Sequence, residues 1–314
     1  MEIKTVSIIG LGALGVLFGR QLAKKMPEGD LRVIADRKRI ERYERDGVYC
    51  NGDRCSFHYV TPEEECGPAD LLIFAVKFNG LADAVQAVKK HVGPNTIILS
   101  ALNGISSEEI ISRTYGMDKI LYCVAQGMDA VKTGNQLTYD HIGMLCFGEK
   151  EPGYVSEKAE RVARFFEKTD FPYELDKHMM KRLWGKFMLN VGVNQTVAVF
   201  KSNFGEIQKE GPAREMMIAA MREVMALSEK EGFPLTEADL QYWLKVVGAL
   251  SPDGKPSMAQ DVEAKRYSEV GLFSGTVIEL GKKHNVPVPV NEALYQRIQE
   301  MESGYENLNS KVAE

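Results

Sequence analysis

The chain has 314 residues, 44% of them hydrophobic and 26% charged. That is the mix of an ordinary globular protein of about two domains, and it excludes collagen-like, disordered and disulfide-stapled classes. With 39 Lys and Arg against 44 Asp and Glu, the net charge is −5, so neither nucleic acid nor an anionic membrane, both of which select basic surface, is an expected partner.

Residues 5–9 read as a buried strand, 13–25 as a helix closed by Pro27, 31–35 as a second strand and 38–46 as a short charged helix ended by Gly47. Residues 70–76 and 96–101 are further buried strands, with a helix over 81–91 between them. Ser106-Ser107-Glu108-Glu109 has capping-box spacing ahead of a short helix. Strands follow at 120–125 and within 136–147, then a helix over 154–168. Strands apolar on both faces, alternating with helices, indicate an α/β unit with a parallel sheet covered on both sides. Past Phe171-Pro172-Tyr173 the pattern is helical: 177–200, 211–231, 236–250, a long helix within 256–284, and 291–303. The expected division is 1–172 and 173–314, with a loose tail from Asn307. No run reaches the ~18 apolar residues of a membrane helix, and the N-terminus lacks the pattern of a signal peptide. Cys50, Cys55, Cys66, Cys123 and Cys146 form no C-x-x-C pair or zinc spacing, so no metal is expected and reduced thiols in the cytoplasm are.

Gly10-Leu11-Gly12-Ala13-Leu14-Gly15 follows a strand and opens a helix. Gly10 permits a tight turn, Gly12 lets a pyrophosphate approach the backbone, and Gly15 lets helix and strand pack closely. The helix start at Ala13 and Leu14 adds free N–H groups and a positive dipole end. This is the signature of a Rossmann-type dinucleotide-binding unit; a glycine turn in an unrelated α/β fold is the alternative. Ala35-Asp36-Arg37-Lys38-Arg39 ends the second strand, where the adenosine ribose is read. Asp36 suits the 2′-OH of NAD(H), while Arg37 and Arg39 suit the 2′-phosphate of NADP(H), and the sequence leaves both open. Lys77 and Asn103 follow later strands at the carboxyl edge and are candidate cofactor contacts. An exposed strand-end lysine and a plain Asn-Gly turn are the competing readings.

Lys186, Asn190 and Asn194 recur at i, i+4 and i+8 and make one polar stripe among Phe187, Met188, Leu189, Val191 and Val193. Such groups on a core-seeking helix indicate a polar cleft, or else a solvent edge or helix–helix hydrogen bonds. The glycine loop, Lys77, Asn103-Gly104, this helix and the segment Ser257-Met258-Ala259-Gln260-Asp261…Ser268-Glu269 together resemble the ketopantoate reductase (2-dehydropantoate 2-reductase) family over nearly the whole chain.

The resemblance implies a Rossmann-type domain coupled to an all-helical one, with the active site in the cleft. It implies NADPH-dependent reduction of a branched 2-keto acid, 2-dehydropantoate to pantoate in pantothenate biosynthesis, other keto acids and NADH serving some relatives. By position it implies Lys186 as the catalytic lysine and Glu269 as its partner carboxylate, with Asn103, Asn190, Asn194 and Ser257 as further substrate contacts. Gly271, Ser274 and Asp36 stand where the family usually carries Asp, Asn and Arg. Twelve residues of straight helix would put Ser257 and Glu269 ~18 Å apart, so Ser257 is expected in a turn near Pro256. Apolar faces on the later helices are compatible with a homodimer. A β-hydroxyacid dehydrogenase, a non-catalytic dinucleotide sensor and a pure interaction module are the competing readings. Of the five histidines, His178 stands nearest the lysine helix.

Overall fold

The computed structural model describes residues 2–305, so the tail from Asn307 lies outside the described residues. The chain forms two compact units, the first running to Met180 and the second beginning at Lys181.

In the first unit, β1 (Val6–Ile9), α1 (Ala13–Ala23), β2 (Leu31–Ile34) and α2 (Arg37–Asp46) are followed by short strands β3 (Tyr49–Cys50), β4 (Asp53–Arg54) and β5 (His58–Val60). Next come β6 (Leu71–Phe74), α3 (Leu81–Ala87), β7 (Ile97–Ser100) and α4 (Ser107–Tyr115). The unit closes with β8 (Ile120–Met128), β9 (Val131–Thr133), β10 (Gln136–Thr138), β11 (Ile142–Gly148), α5 (Glu157–Lys168) and β12 (Tyr173–Leu175). The main sheet runs β12-β11-β8-β7-β6-β1-β2-β5, and β4-β3-β10-β9 form a smaller one.

The six strands from β5 to β8 in that order pair in parallel, the arrangement of a doubly wound dinucleotide fold. Within them, alternation along each strand fills both faces. Leu71 and Ile73 of β6 join Val16, Leu17 and Phe18 of α1 on one side, while Leu72 and Phe74 join Leu81 and Val85 of α3 and Ile111 of α4 on the other.

Three expectations about the first unit need correction. The sheet is mixed, because β11 returns antiparallel to β8; the segment joining them contains only the short strands β9 and β10, and an antiparallel return needs no covering crossover helix. The boundary near 172 falls inside the first unit, because Tyr173–Leu175 pairs in parallel with β11 and the Asp176 N–H donates to the Phe147 carbonyl at 2.9 Å. Ser106 makes no capping box: its side chain accepts no cap bond, and its backbone (φ −110°, ψ −15°) already lies in the helical region, whereas a capping residue is usually extended.

The second unit is helical: α6 (Met179–Val199, whose first two residues belong to the first unit), α7 (Phe204–Gln208), α8 (Pro212–Lys230), α9 (Glu237–Gly248), α10 (Ser257–Glu263), α11 (Thr276–His284) and α12 (Pro289–Glu302). A π-helical turn, Gly271–Gly275, precedes α11. The single long helix expected within 256–284 is therefore broken. Lys265 takes a left-handed backbone (φ 52°), and the Arg266 N–H and Nε both fold back onto Asp261 at 2.8 Å. In α6, a methyl group added to Gly185 would strike the Trp243 ring of α9, and one on Gly192 would lie 3.0 Å from the Met217 carbonyl of α8. Both glycines thus let the helix lie close against its neighbours.

Candidate active site

The first unit gathers its candidate residues at the carboxyl ends of β1, β2, β6 and β7, four adjacent strands. The glycine loop is built for close approach. Gly10 has φ +97°, and a Cβ there would sit 2.7 Å from the Ala75 carbonyl oxygen, while one on Gly15 would collide with the Gly10 carbonyl. Gly12 differs: its φ is −70°, and its Cβ would meet only Ala75 O, at 3.6 Å. The fold itself therefore does not demand glycine at position 12, and the loop is shaped for something arriving from outside. At the start of α1, Gly12 provides no side-chain cap, and the first turn carries no acidic residue. Ala13 and Leu14 thus begin a helix whose own first turn brings no acidic or capping side chain to its positive dipole end. These features fit a dinucleotide pyrophosphate.

Asp36 is already in use. Its Oδ1 accepts the Arg39 N–H at 2.8 Å as the N-cap of α2, and its Oδ2 pairs with Arg39 Nε at 3.3 Å. Arg37 beside it is exposed and makes no ion pair among the described residues. Lys77 is exposed one turn past β6, and Asn103 is half-buried past β7, in the loop that Gly104 (φ +89°) turns.

Beneath that loop lies a polar chain the sequence reading missed. Ser100 and Ser107 hydroxyls meet at 2.7 Å, and Ser107 donates to the Glu108 carboxylate at 2.8 Å. Glu108 is 1% exposed, and burial pushes its carboxyl up to about 7, against bonds from Ser107 and from the Glu108 and Cys123 amides that pull it down. A serine pair beside a glutamate past a buried strand is its signal in the sequence, the same run that carries capping-box spacing.

In the second unit the stripe is real. Lys186 is half-buried, and Asn190 and Asn194 are 9% and 7% exposed, on a helix where Phe187, Met188, Val191 and Val193 are buried. Ser257 is the first residue of α10, with Pro256 as N-cap, and it is exposed. Glu269 is half-buried between α10 and the π turn, its carbonyl accepting the Leu272 and Phe273 N–H groups at 2.9 and 3.2 Å. Because the helix breaks between them, at the left-handed Lys265, the straight-helix separation does not apply to Ser257 and Glu269, and Ser257 stands inside α10 rather than in the turn expected near Pro256. His178 is exposed ahead of α6, its main-chain N–H donating to Asp176 at 2.7 Å. Gln195, next to Asn194 and fully buried, was also missed; its position one residue past the stripe was the signal.

The family model described as ketopantoate reductase PanE/ApbA matches residues 6–151, and its C-terminal counterpart matches residues 178–302. A 2-dehydropantoate 2-reductase of Aquifex aeolicus is 25% identical over 300 residues, covering 94% of this chain and 96% of that protein. One of Archaeoglobus fulgidus is 25% identical over 305 residues, covering 97% of this chain and all of that protein. Among solved structures, a PanE/ApbA family ketopantoate reductase from Ralstonia eutropha superposes with a TM-score of 0.84 at 21% identity, over 96% of this chain and 99% of that one. A D-mandelate dehydrogenase with NADH and anilino(oxo)acetate gives 0.85 at 21%, with the same coverage; at this identity both likenesses speak for the fold. With both family models accounted for in order along its length, the chain belongs to the ketopantoate reductase family.

Proposed function

We propose that this protein is a dinucleotide-dependent reductase of a branched 2-keto acid, with 2-dehydropantoate as substrate and pantoate as product. The observation that carries the reading is the stripe of Lys186, Asn190 and Asn194 on an otherwise buried helix, in a chain whose other unit ends its strands in a pyrophosphate-shaped glycine loop. The relatives' printed names support the substrate.

The bound dinucleotide supplies the hydride that the carbonyl carbon gains. Lys186, as an ammonium, donates a hydrogen bond to the carbonyl oxygen, stabilises the negative charge that grows there, and gives up the proton that completes the hydroxyl. Because that charge appears only on the way to product, this interaction speeds turnover rather than merely tightening binding. Glu269 orients the ammonium or accepts from a substrate hydroxyl. Asn190 and Asn194 each present a donor and an acceptor to the substrate's hydroxyl and carboxylate oxygens. Ser257 offers a hydroxyl to the carboxylate, and Asn103 an amide to the nicotinamide ribose or the substrate. In the first unit, the amides of Gly12, Ala13 and Leu14 hold the pyrophosphate and Lys77 adds a cation.

NADP(H) is the preferred cofactor in this reading, since the Asp36 carboxylate is engaged as a helix cap while Arg37 stands ready for a 2′-phosphate. Asp36 also favours a second reading, an NADH-dependent 2-hydroxyacid dehydrogenase of the same family, because a carboxylate at that strand end can accept from a ribose 2′-OH. Five free cysteines fit a reducing cytoplasm. A homodimer is the proposed assembly, supported by a neighbour described as a dimeric ketopantoate reductase from Staphylococcus aureus.

The test mixes the protein with NADPH or NADH and a panel of branched 2-keto acids and follows coenzyme absorbance. Oxidation is expected with 2-dehydropantoate. Lys186→Ala is expected to lower kcat by roughly 10²–10⁴ while coenzyme fluorescence titrates as in the wild type; near-normal turnover in that variant removes Lys186 from the chemistry.

A further inference from the structure

We propose that Gln195 is a positioning residue for Glu269, locking the π turn that directly follows it to the helix that carries Lys186; the proposal rests on the reductase reading above.

The turn Gly271–Gly275 closes an i to i+5 bond, the Gly275 N–H donating to the Val270 carbonyl at 3.1 Å. Such π turns are rare, and they recur at functional sites. This one is pinned from α6. Gln195 Oε1 accepts the Ser274 N–H at 3.2 Å, while its Nε2 donates to the Val191 carbonyl at 2.8 Å and to Asn291 Oδ1 at 3.3 Å. Ser274 Oγ donates to the same Asn291 oxygen at 3.0 Å, and Asn291 Nδ2 passes the chain to Glu223 of α8 at 2.7 Å. Gln195, Ser274 and Asn291 are all 0% exposed. On the other side of Glu269, the Ser268 N–H donates to the buried Glu302 carboxylate of α12 at 2.8 Å.

Glu269 thus has its own carbonyl tied into the π turn and both flanks anchored, one to the Lys186 helix. A buried glutamine is an expensive way to fill space, because both ends of its amide need partners, and a methionine of the same length would pack without that demand. What the amide adds is registry: it sets where the turn sits along α6. Ser274 belongs to the same network, its short hydroxyl reaching Asn291.

The test uses the full chain and the keto acid on which the wild type acts. Gln195→Met keeps the length and removes both hydrogen-bonding groups. Amide exchange of the peptide over 268–276 is expected to accelerate, and kcat/KM for the keto acid to fall about tenfold or more, with dinucleotide KM unchanged. In a Glu269→Gln background, adding Gln195→Met is expected to have almost no further effect, because the two act as one unit. Wild-type exchange over 268–276, or effects that multiply independently, overturns the proposal. If Gln195→Met does not fold, Glu302→Ala is read in the same way, with Glu302→Gln restoring protection of the segment. A wild type that oxidises neither coenzyme with any keto acid defeats the reductase reading, and this proposal with it, before any variant is made.

Discussion

A methyl group at Gly15 meets the Gly10 carbonyl, whereas one at Gly12 finds ordinary contact distance. The two positions therefore make different demands within a single loop: the fold requires glycine at position 15 and not at position 12. Gly15→Ala is expected to destabilise the protein by several kcal/mol in a urea titration. Gly12→Ala is expected to leave the midpoint nearly unchanged and to weaken coenzyme binding, read by fluorescence titration. Glu108 gives a pH signature. Burial pushes its carboxyl up to about 7, well above an ordinary glutamate, so the native state holds the proton more tightly than the unfolded chain. Stability from this group is full below about pH 4.5 and is lost as pH rises toward 7, by on the order of 3 kcal/mol. Glu108→Gln is expected to flatten that slope in urea titrations between pH 4.5 and 8; an unchanged slope would mean that the carboxyl is ionised throughout. The glycine loop was readable in the sequence because Gly10 and Gly15 answer local steric demands and Gly12 completes their spacing. Glu108 was not, because its environment is made by the Ser100 hydroxyl of one strand and the Cys123 amide of another.

Among the elements, Asp36 shows how one side chain can serve two readings. As the N-cap of α2 it satisfies the Arg39 amide, so Asp36→Ala is expected to cost about 1 kcal/mol of stability. The same change removes negative charge from the place where a 2′-phosphate would lie, so the ratio of kcat/KM for NADPH over NADH is expected to rise; a fall would favour the NADH reading. The helices themselves were legible wherever apolar periodicity ran unbroken, as in α6 and α8. The break between α10 and α11 was not, because Lys265 adopts its left-handed backbone to let Arg266 close on Asp261, and a lysine carries no turn signal of its own. Capping spacing is ambiguous for a related reason: Ser106 and Thr236 share the pattern, yet Thr236 makes the reciprocal box with Asp239, whereas Ser106 already has a helical backbone and Glu109, three residues on, lies 3.9 Å from Arg113.

For the whole molecule, two compact units mean that a single two-state unfolding free energy is not expected. A ligand that binds only the native state stabilises it by mass action, about 2.7 kcal/mol at a hundred times its Kd. Saturating NADPH is therefore expected to raise a calorimetric transition by several degrees and NADH to raise it less; equal shifts would remove the preference for NADPH.

The amino-acid order alone determined the two-part plan, the dinucleotide loop, and the lysine–asparagine stripe with its family resemblance. All of these rest on short-range rules: the period of a strand or helix, the steric needs of a turn, the spacing along one face. Tertiary structure decided the rest: the antiparallel return of β11, the enrolment of Tyr173–Leu175 in the sheet, the buried Glu108, and the lock of Gln195 on the π turn. Those depend on partners between 14 and 79 residues away along the chain, and burial and hydrogen bonding across such separations leave no periodic trace in sequence.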